Sequence, residues 1–307
     1  MTKIESNRGT MTKLKLRNLA KKVINAKTFE QRAQILRAYA YRVGKVKQSG
    51  TWGYTFMKLS RVFAYYANNK DGNSQDLFSI FANANTKLKF VNFSALPEFT
   101  CPGAGKCLDW CYSFKAFRYP SAYCRMLQNT ILLKERKTVI RNARERLPSS
   151  IYVRLYVDGD FDSLSTMGFW FTMCNKRPDL SIWGYSKSFH LFRTWNQQGL
   201  QFPTNYVLNL SSGSIFDDDK QMIKYMESLP ITRGHFYAVD ISGTYQKGFK
   251  RYADKAYHRE VRDTLRDQTN EARVFSCTGF CHSCLPKDKP ACAQIDFTTP
   301  IGIGNHG

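Results

Sequence analysis

The stretch IYVRLYVDGDFDSLSTMGFWFTMCNKRPDLSIWGYS, residues 151 to 186, decides the fold. It opens with an apolar run of strand length that ends in Asp and Gly. A segment of helical type follows over 163–176, and LSIWGYS (180–186) is again of strand length. Strand, helix and strand in succession is the sequence form of a parallel pair with a crossover helix. The pattern extends outward in both directions. Further strand-length runs are LKFVNFSAL (88–96), NYVLNLSS (205–212) and HFYAVDIS (235–242), with helical segments at 121–147, 187–199, 217–228 and 246–268. The fold class is therefore α/β, with a mostly parallel sheet, open or closed into a partial barrel.

Enzymes with such sheets place their sites at the carboxyl ends of the strands. The run 151–161 ends in Asp158 and Asp160, with Asp162 beyond. Others end in Tyr185, Ser186 and Lys187, in Ser211, Ser212 and Gly213, and in Asp240 and Ser242. Asp158 and Asp160 are the candidate catalytic carboxylates, against the plainer reading that Asp and Ser at strand ends cap helices and start turns. A calcium loop starting at Asp158 fails, because Ser163 and Phe169 stand where Gly and Glu are required.

Before this pattern the chain differs. The 307 residues carry a net charge of +22. Residues 1 to 70 hold sixteen Lys or Arg against Glu5 and Glu30, so 16 − 2 = +14 of it lies there. LKLRNLAKKVINA repeats Leu16, Leu19 and Val23 at helical spacing, and Thr28 with Gln31 forms a capping box for a second helix ending near Gly44. NNKDGNSQ (68–75) reads as the boundary, giving a basic, mainly helical region over 1–75 and an α/β domain over 76–307. So concentrated a positive charge favours polyanions, and nucleic acid is the expected partner. Lys13, Lys15, Arg17, Lys21 and Lys22 are the candidate phosphate contacts, and Trp52 and Tyr54 the candidate base-stacking rings. Against this stands the ordinary use of basic residues as a solvated helix face and of aromatics as core. No apolar run reaches membrane-span length and no signal peptide opens the sequence, so the expectation is a cytoplasmic protein that does not enter a membrane.

Nine cysteines in a chain expected in a reducing compartment point to metal or chemistry rather than disulfides. Cys174 stands alone on a helical segment and reads as a small buried hydrophobe. The others fall into two groups of candidate metal ligands: Cys101, Cys107, Cys111 and Cys124, and Cys277, Cys281, Cys284 and Cys292. CPGAGKC and CLPKDKPAC combine Gly, Pro and short spacers, the loop chemistry that turns several thiolates toward one ion or cluster. The varied spacing favours an iron–sulfur cluster, [4Fe–4S], over structural zinc, which is the alternative. One shared site and two separate sites both remain open. The five histidines form no HxH or HExxH pair, and no GxSxG elbow or P-loop occurs.

Cys101-Pro-Gly-Ala, then Cys107 and Cys111-Tyr112, VDGDF after a strand, and a terminal cysteine group resemble the cysteine-rich phage proteins of the gene product 88 family. The same features look like the wider set of phage proteins with radical-SAM-like barrels. The resemblance covers residues 85 to 295. It implies a phage or mobile-element origin, hence a host cytoplasm, an iron–sulfur cluster, and S-adenosylmethionine as an open co-substrate. The superfamily's cluster loop is Cys-x3-Cys-x2-Cys after the first strand; here that place holds five- and three-residue spacers, while CTGFCHSC has the spacing after the last strand. Two readings stand: an enzyme acting on nucleic acid or a nucleotide, and a metal-stapled DNA- or RNA-binding protein acting in replication or host takeover.

Overall fold

The computed structural model describes residues 11–69, 78–83, 90–241, 254–279 and 290–305. They divide into two compact units: one made of residues up to Phe81 with Ser94–Pro97 and Tyr112–Leu147, the other of Ala82–Phe93, Glu98–Cys111 and Pro148 onward. The expected boundary falls partly on residues outside the described set. The helical unit is not confined to its amino-terminal side, because it recruits the segment from Tyr112 to Leu147.

In the helical unit, α1 (Lys13–Asn25) is capped by Thr12 and α2 (Phe29–Val43) by Thr28, whose side chain accepts from Gln31 N. The third helix, α3 (Trp52–Asn68), is capped by Thr51. Each buries one stripe, as helical spacing dictates: Leu16, Leu19 and Val23; Phe29, Ala33 and Leu36; Phe56, Leu59 and Phe63. A four-residue helix α4 (Cys107–Trp110) belongs to the second unit. The first unit is completed by α5 (Pro120–Glu135), started by Pro120, and α6 (Lys137–Glu145). Inside it Arg32 is 1% exposed and answers Glu135 at 2.6 and 2.5 Å, while donating to Val23 O and Ala26 O at the end of α1.

The second unit holds a seven-stranded, all-parallel sheet, curled into a half-barrel. Its strands are β1 (Val91–Asn92), β2 (Tyr152–Leu155), β3 (Ser181–Ser186), β4 (Tyr206–Ser211), β5 (Thr232–Asp240), β6 (Phe275–Ser276) and β7 (Ile301–Asn305). Their order is β1-β2-β3-β4-β5-β7-β6. Between them run α7 (Leu164–Asn175), α8 (Phe189–Gln197), α9 (Lys220–Glu227) and α10 (Lys255–Thr269). The period of two sorts the side chains. Tyr206 meets Phe161 and Phe171 on the helix side, and Val239 packs with Val261 and Leu265 of α10. Trp183, Tyr185, Val207 and Phe236 face the other way, into the curl, with Phe90 and Ile301. A bulge between Leu208 and Asn209 leaves Arg233 as the extra residue of β5, and a bulge re-aims a side chain. Arg233, 1% exposed, donates to Asn209 Oδ1 at 2.6 Å and to three main-chain carbonyls.

Candidate metal centre at the carboxyl rim

Parallel strands bring their carboxyl ends to one rim, so the segments after β1, β2, β3 and β4 are neighbours there. The loop after β1 carries Cys101 and Cys107, and it is attached by main chain. Ala104 bridges Ser214, Gly105 N and Cys107 N donate to Gly213 O at 2.9 and 3.2 Å, and Ile215 N donates to Gly103 O at 3.1 Å. Ser214 Oγ reaches Lys187 O at 2.9 Å, which ties the segment after β3 to the same point. Two glycines permit this approach. A Cβ on Gly103 would sit 1.9 Å from Lys187 O. Gly213 has φ +85°, and a Cβ there would lie 2.6 Å from Cys107 Cβ. Asp217 fixes that turn, accepting from Gly213 N at 2.6 Å and Ser214 N at 3.0 Å.

Cys101 and Cys107 feel the charges of Cys111, Asp160 and Lys187. Burial pushes the Cys101 thiol up, helped by the charges of Asp160 and Cys111 and opposed by Lys187. Burial likewise pushes Cys107 up, with Lys187 opposing and Cys111 adding to the rise. Lys187 Nζ donates to Ser211 Oγ at 2.8 Å.

Asp160 sits where a strand-end carboxylate was expected, but as a clamp. Its Oδ1 accepts from Phe161 N at 2.7 Å and Ser186 Oγ at 2.8 Å, and its Oδ2 from Lys187 N at 2.8 Å and Ser188 Oγ at 3.1 Å. With both oxygens engaged and 4% exposure, it positions the turn after β3. Burial still raises its pKa, against these hydrogen bonds and Lys187. Asp158 lies half-buried one turn earlier, before Gly159 at φ +83°.

Cys124 lies on α5 in the helical unit, fully buried, and burial alone raises its thiol. Cys174 is buried on α7. Of the second group, Cys277 follows β6 and Cys292 sits in a short 3-10 turn, Ala291–Ala293; both join the apolar cluster of Phe90, Trp183 and Ile301 inside the curl. Asn209 Nδ2 donates to Cys292 O at 2.8 Å. Cys281 and Cys284 lie outside the described residues, as do Ser242 and His282. Among the described residues no three His, Cys, Asp or Glu side chains are grouped to hold a single metal ion.

Sequence reasoning missed the groups that line the curl below this rim. The Arg154 guanidinium lies 4.4 Å from the Tyr185 ring, and Tyr185 meets Phe236 edge-on at 4.8 Å. The available signal was Arg154 itself, a charge in the middle of an apolar strand.

For the nucleic-acid candidates, Lys15, Lys21 and Lys22 are exposed on α1 and Arg17 is half-buried. Lys13 Nζ lies 3.4 Å over the Phe114 ring. Trp52 is engaged by Phe56 at 5.3 Å and edge-on by Tyr123 at 5.7 Å, and Tyr54 is half-buried. The Trp52 ring thus serves packing within the helical unit. No described helix is long and apolar enough to cross a membrane.

Neither a curated protein nor a solved structure matches the chain. The family model described as gene product 88 matches residues 60–283, which takes in the first cysteine group whole and the second as far as Cys281. With well over half its length matched, the chain belongs to the gene product 88 family, a family of phage proteins.

Proposed function

We propose that this phage-family protein is an iron–sulfur protein that binds nucleic acid, with Cys101, Cys107 and Cys111 holding a [4Fe–4S] cluster at the mouth of the half-barrel. The observation that carries the reading is the three-thiol loop after the first strand, docked by main-chain bonds onto the turn after β4, which Ser214 Oγ ties to Lys187 O after β3. The loop itself offers three thiols; with Cys124 as a fourth ligand a cluster would be closed, and without it one iron would lack a protein ligand. In the second case S-adenosylmethionine would complete the site, and the cluster would supply reductive radical chemistry for a nucleic acid or nucleotide. Lys187, beside two of the thiols, offsets the charge gathered by thiolates, and Asp160 holds the turn that carries Lys187. Arg154, Tyr185 and Phe236 offer a cation and ring faces inside the curl to a planar, anionic group. The nucleic acid is met by the exposed lysines of α1.

Cys277 and Cys292 favour a second, compatible element. Buried in one apolar cluster, they suit a structural metal, zinc or a closed cluster, that staples the end of the chain.

The test is anaerobic purification of the full chain. The expected preparation is brown, with broad absorption in the blue, and Cys107→Ser or Cys111→Ser lowers iron and acid-labile sulfide together. A spectral change on adding S-adenosylmethionine supports the open iron. Colourless protein with stoichiometric zinc, unchanged in both variants, overturns the reading.

A further inference from the structure

A cleft of about 440 Å³ lies between α10 and β6, lined by Lys255, His258, Arg259, Arg262, Ser276 and Thr278. The helix residues fall at positions i, i+3, i+4 and i+7, so one stripe of α10 faces the cleft. Lys255 and Arg259 are exposed and Arg262 is half-buried. Among the described residues none of these three cations is in an ion pair, whereas the acid nearest in sequence to Arg262, Asp263, is engaged by Arg266 at 2.8 Å. The opposite wall is polar: Ser276 Oγ lies 2.8 Å from His258 Nδ1. Phe275, which also lines the cleft, has its ring in edge-on contact with Phe297 at 5.7 Å. The site is thus built for an anion and offers no vacant ring for a base.

We propose that this cleft binds the phosphodiester backbone of a nucleic-acid strand, as a second contact beyond the basic amino-terminal helices. The proposal rests on the nucleic-acid reading above. From Lys255 to Arg262 the helix rises about 10 Å at 1.5 Å per residue. A strand advances about 3.4 Å per phosphate along a duplex, so the stripe spans two to three successive phosphates. A single free phosphate would need convergent donors at one point. Here the cations are strung along a line, the arrangement that follows a phosphodiester backbone.

The experiment is a salt series of anisotropy titrations with one labelled oligonucleotide and the full chain. It compares wild type, Lys255→Ala/Arg259→Ala/Arg262→Ala, the single variant Arg259→Glu, and Lys15→Ala/Lys21→Ala/Lys22→Ala. In the α10 triple variant the slope of log affinity against log salt should fall by about two, at ~0.7 to 0.9 per phosphate lost, with affinity about tenfold or more weaker at low salt. Arg259→Glu, at an exposed position, should weaken binding without changing the urea midpoint. Slopes and affinities equal to wild type in both α10 variants, while the α1 variant is impaired, overturn this proposal alone. A wild-type chain that does not bind, or binds without salt dependence, overturns it together with the nucleic-acid reading. Displacement of the α10-dependent component by millimolar inorganic phosphate or pyrophosphate assigns the cleft to a free anion and overturns the strand assignment.

Discussion

Asp160→Asn separates two forces that act on one carboxylate. Four donors engage Asp160, and two of them, Phe161 N and Lys187 N, are main-chain groups that cannot reverse. An asparagine in the same place keeps one acceptor. If its oxygen stays with Phe161 N and Ser186 Oγ, its amide nitrogen meets Lys187 N–H, donor against donor. Ser188 can turn its hydroxyl to accept, but Lys187 N–H cannot, and a buried unsatisfied donor costs about 1–3 kcal/mol. Removal of a buried charge returns part of this, because burial is the largest influence on Asp160 and raises its pKa. The expected net loss at neutral pH is about 1–2 kcal/mol.

The pH dependence carries the sign. A carboxyl whose folded pKa lies above its unfolded value binds more protons when folded, so its stabilisation is complete below the unfolded pKa, near 3.9, and is lost as pH rises through the folded pKa. The slope for one proton reaches at most about 1.4 kcal/mol per pH unit. Urea unfolding of both chains from pH 4 to 8 should therefore show the variant's deficit shrinking as pH rises, since only wild type has that proton to lose. A deficit that grows with pH would mean that the four donors outweigh burial, and the reasoning would be refuted. A second readout is alkylation of Cys101 in metal-free protein. Asp160 is the largest charge effect raising that thiol, so its neutralisation should speed the reaction at pH 8.

Gly213→Ala places a Cβ at positive φ and 2.6 Å from Cys107 Cβ, so it should cost about 1–3 kcal/mol in backbone strain and displace the cysteine loop, read as lower iron content with a lower urea midpoint. Unchanged values for both would show that the loop does not depend on that turn. Arg32→Met removes the donors to Glu135, Val23 O and Ala26 O and should destabilise the helical unit by about 3 kcal/mol, the low end for a broken buried pair, because Glu135 is 36% exposed and can rehydrate. Thermal unfolding followed by circular dichroism checks this, and a loss below 1 kcal/mol would place the pair among ordinary surface contacts.

Periodicity made the α/β pattern legible, because β2 to β5 are long enough to show their apolar runs and the segments between them hold helical stripes. The last two strands were not. Phe275–Ser276 is too short to register, and Ile301–Asn305 reads IGIGN, whose glycines depress strand propensity. The structure gives the reason for them: a Cβ on Gly302 would come 2.9 Å from Leu265, and one on Gly304 would come 2.6 Å from Ile241, so α10 and its neighbours lie close against that face. Ring count says nothing of direction: helical spacing turns Phe56, Phe63 and Tyr66 inward, while Trp52 and Tyr54 stay half-buried. Spacing along the chain groups Cys124 with the first cysteines but does not show that the helix started by Pro120 buries it.

The two cysteine groups differ in how they are held, and that difference bears on their use. The rim loop is fixed by main-chain bonds to Gly213 and Ile215, with Ser214 Oγ joining Gly103 O and Lys187 O, and its Cys107 is buried against Gly213. Cys101 and Cys111 keep part of their surface accessible. A cofactor seated there would be fixed in position and still reachable, as reaction with an incoming molecule requires. Cys277 and Cys292, in contrast, are buried among Phe90, Trp183 and Ile301, and their backbones are tied to Gly302 and Asn209. A metal at that end would be closed off and would act by restraining the chain. The same sheet thus gathers the turns at one edge, where its parallel strands end, and shelters Cys277 and Cys292 in the interior of its curl.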